Sequence, residues 1–142
     1  MAGRYGMTFA AELIEQGNYE EAIDAATKAI AAGDVGPEPF ADRATALDFL
    51  ERYAEASVEL ERAIELNMAN KTIDPDGLDD AYFSALVGAA KIDAETSVAV
   101  GVQRLERYGR TIPKGRHVRD AEDWRKRIRG ELPSLLDKTT DT

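Results

Sequence analysis

The chain has 142 residues, with 18 Lys and Arg against 27 Asp and Glu, one His, no Cys and a formal charge of −9. That length predicts one domain able to bury a sizeable core, and the lack of Cys excludes disulfides, thiolate catalysis and Cys-ligated zinc. No run of about 18 uncharged apolar residues could span a bilayer, and the first residues lack the apolar stretch of a secretory signal; a cytoplasmic protein with no membrane partner is expected.

Ala, Glu, Leu, Arg and Lys dominate and alternating β-branched runs are missing, so the fold class is all-α. Seven helices are expected. The first covers residues 7–16 and stops at Gly17. Asn18, with Glu21 three residues on, reads as a capping box for a second helix over 19–32. Pro37-Glu38-Pro39 leads into a third over 40–50, and a fourth spans 53–67. A polar loop over 68–78 follows, then a fifth helix over 79–92. Asp93 is the expected N-cap of a sixth over 94–108. An irregular basic stretch, 110–119, precedes a seventh from Asp120 to Arg129, and the last ten residues read as a frayed tail. Short turns between paired helices imply antiparallel helical hairpins.

A shift of 34 residues pairs Tyr19 with Tyr53, Ala22 with Ala56, Ala29 with Ala63 and Ile30 with Ile64. The same shift pairs Ala10 with Ala44 and Leu13 with Leu47. A helix–turn–helix period of this length with these residues resembles the tetratricopeptide repeat (TPR) family. The resemblance implies small residues where paired helices cross, at Ala10 and Ala22 and again at Ala44 and Ala56, and an aromatic beside each turn, Tyr19 and Tyr53. Gly6 and Glu51 depart from the family pattern, which has a large aromatic and a turn glycine there. A third, degenerate repeat registers over 82–108 after an insertion of eight residues, with Leu86 and Val98 in place of the small pair. The expected organisation is therefore a TPR-like domain over 4–108, with repeats at about 4–36, 37–68 and 79–108, followed by a basic linker, capping helix and tail over 109–142. The architecture is a right-handed α-solenoid of three hairpins plus a C-terminal capping helix.

Such hairpins stack because none buries its apolar face alone, leaving a concave surface. The resemblance puts the partner-binding groove at Met7, Ala11, Ile14, Ala41, Thr45, Asp48, Phe83, Val87 and Ala90, with Glu15, Asp42 and Asp80 nearby. A protein or peptide partner that is part apolar and part basic is implied. Members that grip a carboxyl terminus use Lys, Asn, Asn, Lys and Arg at positions that here hold Met7, Ala11, Asp42, Asp80 and Ser84. None is a cation, so a carboxylate clamp is not expected.

The charge is unevenly distributed. Residues 1–99 carry 7 basic and 20 acidic side chains, whereas residues 100–142 carry 11 and 7. Three readings of the basic segment, 104–129, stand open. Trp124, Ile128 and Leu132 share a helix face, so this helix can cap the solenoid with its basic side solvated or turned to the acidic body. It can instead dock on another copy, giving a homo-oligomer, or on an acidic partner. Or Arg110, Lys114, Arg116 and Arg119 can contact RNA or DNA phosphates, which the acidic body opposes. Enzymatic activity and cofactors are not expected: His117 is alone, and Asp74-Pro75-Asp76-Gly77 has Thr72 and Phe83 where a calcium loop needs its first and last ligands. No phosphate-binding glycine motif occurs.

Overall fold

The computed structural model describes residues 7–131, and every element among them is a helix. These are α1 (Phe9–Glu15), α2 (Tyr19–Ala31), α3 (Glu38–Phe49), α4 (Tyr53–Asn70), α5 (Pro75–Ala94), α6 (Val98–Thr111) and α7 (Val118–Ile128). Each helix packs on its neighbour in sequence; α1 also packs on α3, and α5 on α7. The expected tail and the position of Leu132 lie outside the described residues.

Three hairpins, α1–α2, α3–α4 and α5–α6, each close through a three-residue turn, at 16–18, 50–52 and 95–97. The first turn uses Gly17 at φ +80°, where the left-handed conformation costs glycine little. One period later Glu51 adopts φ +60°, a strained conformation for a residue with a Cβ. Asn18 does not form the expected box. Its side chain makes no cap bond and its amide donates to Gln16 Oε1 at 3.3 Å.

The third repeat is registered differently from the sequence expectation. Phe49 to Ala94 and Tyr53 to Val98 are both 45 residues, so the insertion is eleven residues rather than eight. In this register the small pair is Ala89 and Gly101, not Leu86 and Val98. Ala89 and Gly101 are both buried, and a Cβ on Gly101 would sit 2.8 Å from the Ala90 carbonyl oxygen and 3.0 Å from the Ala94 Cβ. Asp93 is therefore not an N-cap. It lies inside α5 and pairs with Arg104 at 2.6 Å, while Ser97 caps α6 by accepting from Val100 N.

The inserted residues lengthen helices instead of forming the expected loop at 68–78. α4 runs on to Asn70, and α5 starts at Pro75 with Asp74 as its N-cap, its carboxylate accepting from Asp76 N. Proline at a first helical position lacks only an N–H that would have no intrahelical partner. Asn67, buried, stitches the remaining connection: its Nδ2 donates to Ile73 O at 2.8 Å, and its Oδ1 accepts from Thr72 N and Ile73 N.

The linker at 112–117 has the length of the one at 32–37, and α7 packs on α5 and α6 as α3 packs on α1 and α2. α7 thus takes, among the described residues, the place of the first helix of a further unit. It brings Ala121 into the main core with Leu60, Leu86 and Tyr108, and leaves Trp124 and Ile128 half-buried. The expected boundary at 108/109 falls inside α6, which ends at Thr111.

Two glycines in α6 give opposite expectations. Gly101→Ala forces backbone apart and is expected to cost about 1–3 kcal/mol, whereas Gly109→Ala adds a Cβ in open space and gains about 0.5–1 kcal/mol from helix propensity. At the strained turn, Glu51→Gly is expected to stabilise by about 1 kcal/mol. Urea unfolding of the three variants beside the parent chain checks the signs.

Candidate functional site

The first two hairpins present six of the nine expected groove positions with some exposure. On α1 and just before it these are Met7, Ala11 and Ile14; on α3 they are Ala41, Thr45 and Asp48. Ile14 and Ala41 also touch the core, so they form the floor more than the rim. Thr45 is exposed, and its hydroxyl donates to the Ala41 carbonyl at 2.9 Å, satisfied within its own helix.

Carboxylates set the electrostatics here. Thr8 accepts from Ala11 N to cap α1 and donates to Asp42 Oδ2 at 2.6 Å, tying α1 to α3. Burial raises the Asp42 carboxyl above the ordinary aspartate range, with Glu38 and Asp34 adding to it against the Thr8 bond. Burial likewise raises Asp48. Phe49, exposed at 57%, stacks on Tyr19 with ring centroids 4.7 Å apart and planes 6° from parallel. Sequence reasoning assigned Tyr19 to the turn but missed Phe49. An apolar residue at the last position of a helix, one turn after Thr45, was the available signal.

The third hairpin departs from the expected groove. Because the insertion is three residues longer than expected, the counterparts of Ala41, Thr45 and Asp48 are Leu86, Ala90 and Asp93 rather than Phe83, Val87 and Ala90. Leu86 and Ala90 have no exposure, and Asp93 is engaged by Arg104. Ala90 is corrected from a binding to a packing residue, since its carbonyl lies against Gly101. Phe83 is half-buried beneath His117, stacked at 4.5 Å and 7°, and Val87 is half-buried.

Part of the basic segment pairs with the acidic body. Arg107 donates to both Glu61 oxygens, and the pair holds the Glu61 carboxyl below its usual range. Tyr82 donates to the same carboxylate at 2.6 Å; burial first, then that bond, raises its phenol. Tyr108 donates to the buried Asp79, whose other oxygen accepts from Arg116 N at 2.9 Å, and the Tyr108 oxygen accepts from His117 N at 3.0 Å. Gly115 makes this approach possible, because a Cβ there would lie 2.1 Å from the Tyr108 hydroxyl. His117 Nε2 is 2.7 Å from Asp80 Oδ1, and Nδ1 is 3.4 Å from Asp120 Oδ2. Burial disfavours its charge, but those bonds and the field of Asp79 outweigh burial, and its pKa is raised. Arg116 pairs with Asp80 at 3.3 Å, and Arg125 with Glu106 at 3.6 Å. Arg110, Lys114 and Arg119 make no ion pair among the described residues.

Among the described residues no three His, Asp or Glu side chains are grouped to hold a metal ion, and no helix is long and apolar enough to cross a membrane.

No protein-family profile matches the chain, and no curated protein sequence matches it. Solved structures do match. The second TPR domain of the human RPAP3 protein, determined in complex with the HSP70 peptide SGPTIEEVD, is 22% identical with a TM-score of 0.52, over 84% of this chain and 88% of that one. The first TPR of Spaghetti (RPAP3), bound to the HSP90 peptide SRMEEVD, is 23% identical with a TM-score of 0.51, over 88% and 90%. The fold is of TPR type, an all-helical solenoid.

Tyr108→Phe strips the donor from Asp79 and the acceptor from His117 N, and is expected to cost about 1–3 kcal/mol. The His117 contribution has a defined pH sense. Its raised native pKa makes the contacts to Asp80 and Asp120 stabilising below about pH 6.5, with the benefit lost as pH rises through the native value. The stability gap between the parent chain and His117→Gln, measured by urea unfolding from pH 5 to 9, is expected to narrow with increasing pH.

Proposed function

We propose that this TPR-type solenoid is a non-enzymatic interaction module that takes a part-apolar, part-basic peptide segment of another protein in the groove of its first two hairpins, as a chaperone-like adaptor does. The observation that carries this reading is that Met7, Ala11 and Ile14 at α1 and Ala41, Thr45 and Asp48 on α3 all keep some exposure in a TPR-type solenoid, with the Asp42 carboxylate held by Thr8 between the same two helices. Small residues at Ala11 and Ala41 leave room for a ligand backbone to approach the helices. The carboxylates supply complementarity that speeds encounter with a cationic segment and disfavours an acidic one.

The two RPAP3 domains hold chaperone peptides rich in acidic residues. An acidic groove favours the opposite charge, so likeness of fold carries peptide binding to this chain without carrying that peptide class. The nucleic-acid reading of Arg110, Lys114, Arg116 and Arg119 is weakened because Arg116 is occupied by Asp80 and Asp76, and Arg104, Arg107 and Arg125 by Asp93, Glu61 and Glu106.

A fluorescent Leu/Lys peptide and the SRMEEVD peptide provide the test, read by anisotropy. The cationic peptide is expected to bind at least about tenfold more tightly. Ala41→Arg with Thr45→Arg is expected to abolish that binding while the circular dichroism melt is retained, and undiminished binding would remove the concave face as the site. Because Asp42 and Asp48 have raised pKa values, affinity is expected to fall on acidification, starting above the ordinary aspartate range of about pH 4.

A further inference from the structure

The eleven-residue insertion builds something beyond the repeat. The ends of α4 and α5 project past the positions at which the first hairpins end, and the 111–116 segment crosses beside them. Between the two lies a cleft of about 780 Å³, within the range of natural ligand sites. Its apolar lining includes Ile64, Met68, Ile73, Leu78, Ile112 and Pro113. Met68 is 74% exposed although it sits at the cleft, and a thioether adapts readily to varied apolar shapes. None of the six exposed groove positions lines this cleft.

Both walls are fixed in advance. Asn67 binds the backbone at 72 and 73 on one side, and Asp79 with Tyr108 binds the backbone at 116 and 117 on the other. A preformed cleft spends little binding energy on ordering its own loops. Its lining carries Lys71, Lys114 and Arg116 against Asp76 and Asp79. Lys71, on the α4 side, and Lys114, on the linker side, both line the cleft and are exposed. Neither makes an ion pair among the described residues, in a chain of net charge −9 with abundant carboxylates. Asp79 is buried and receives two hydrogen bonds, and the exposed Asp76, the other carboxylate in the lining, lies 3.9 Å from Arg116, which leaves Lys71 and Lys114 as the cations in excess.

We propose that this cleft is a second docking site, for an acidic amphipathic segment of a partner protein whose apolar side chains enter between Met68, Ile73 and Ile112 while its carboxylates meet Lys71 and Lys114. The site is opposite in charge preference to the concave groove and independent of it. One small module would then hold two segments of different chemistry.

The test uses the full chain with labelled Ile and Met methyl groups, and a synthetic Glu/Leu peptide of roughly twelve residues with leucines on one helical face. The peptide is expected to shift the Met68, Ile73 and Ile112 methyl resonances and leave Ile14, in the groove, unmoved. Lys71→Glu with Lys114→Glu is expected to weaken binding at least about tenfold, whereas Arg110→Glu with Arg119→Glu, the same change in net charge outside the cleft, leaves it within about twofold. No binding, shifts centred on Ile14, equal loss in both double variants, or equal affinity for a Lys/Leu peptide each overturns the proposal. Decanoate that fills the cleft while the peptide does not reassigns it to small amphiphiles and overturns the peptide assignment.

Discussion

The structure depends on how closely two helices can approach within each hairpin. Ala10 and Ala22, Ala44 and Ala56, and Ala89 and Gly101 are each twelve residues apart, and all are buried. Side chains this small let paired helices approach closely, as Gly101 does the Ala90 carbonyl, and a three-residue turn joins each pair. The larger buried side chains lie both within a hairpin, as Tyr82 of α5 and Tyr108 of α6 do with ring centroids 6.1 Å apart, and between hairpins, as Leu60 of α4 and Leu86 of α5 do in one core cluster. A hairpin with an alanine seam still leaves its outer apolar face open until a neighbour covers it.

That dependence makes the ends of the stack the places where charge matters most. At the C-terminal end, α7 carries few apolar residues and a strongly basic surface, and its docking is completed by polar contacts. Tyr108, Asp79 and the backbone of 116 and 117 form the buried part, and His117, Asp80 and Arg116 the outer part. Surface ion pairs of the outer kind add little each, while the buried set fixes geometry because each group would be costly to leave unpaired. The basic segment and the acidic body therefore meet within one molecule through Arg104, Arg107 and Arg116, while Arg110, Lys114 and Arg119 make no ion pair among the described residues.

The two candidate binding surfaces follow from the same plan. The proposed groove of the first two hairpins follows the regular spacing of the repeat, with small residues at Ala11, Ala41 and Thr45. The cleft beside Met68 exists because the third hairpin is not regular. Its longer helices overshoot the stack and frame a space the repeat does not otherwise have. On the proposed assignments, opposite charges at the two places, Asp42 and Asp48 against Lys71 and Lys114, would keep their preferences distinct.

The 34-residue period, the alanine seam of the first two hairpins and the all-helical class were legible in the sequence, because each rests on local spacing that neighbouring repeats duplicate. The third hairpin was not fully legible. Asp74-Pro75 reads equally as a turn and as a helix start, and only Asn67 fixing the backbone at 72 and 73 decides that the inserted residues extend α4 and α5. That choice slid the groove positions of the third repeat by three residues and buried Leu86 and Ala90. Periodicity reports which residues share a helix face. It does not report how many inserted residues a helix absorbs, since that balance is set by contacts between segments far apart in the chain, Asp79 with Tyr108 and Glu61 with Arg107 among them. The sequence alone determined the repeat and the separation of charge along the chain; the tertiary structure decided where those charges meet.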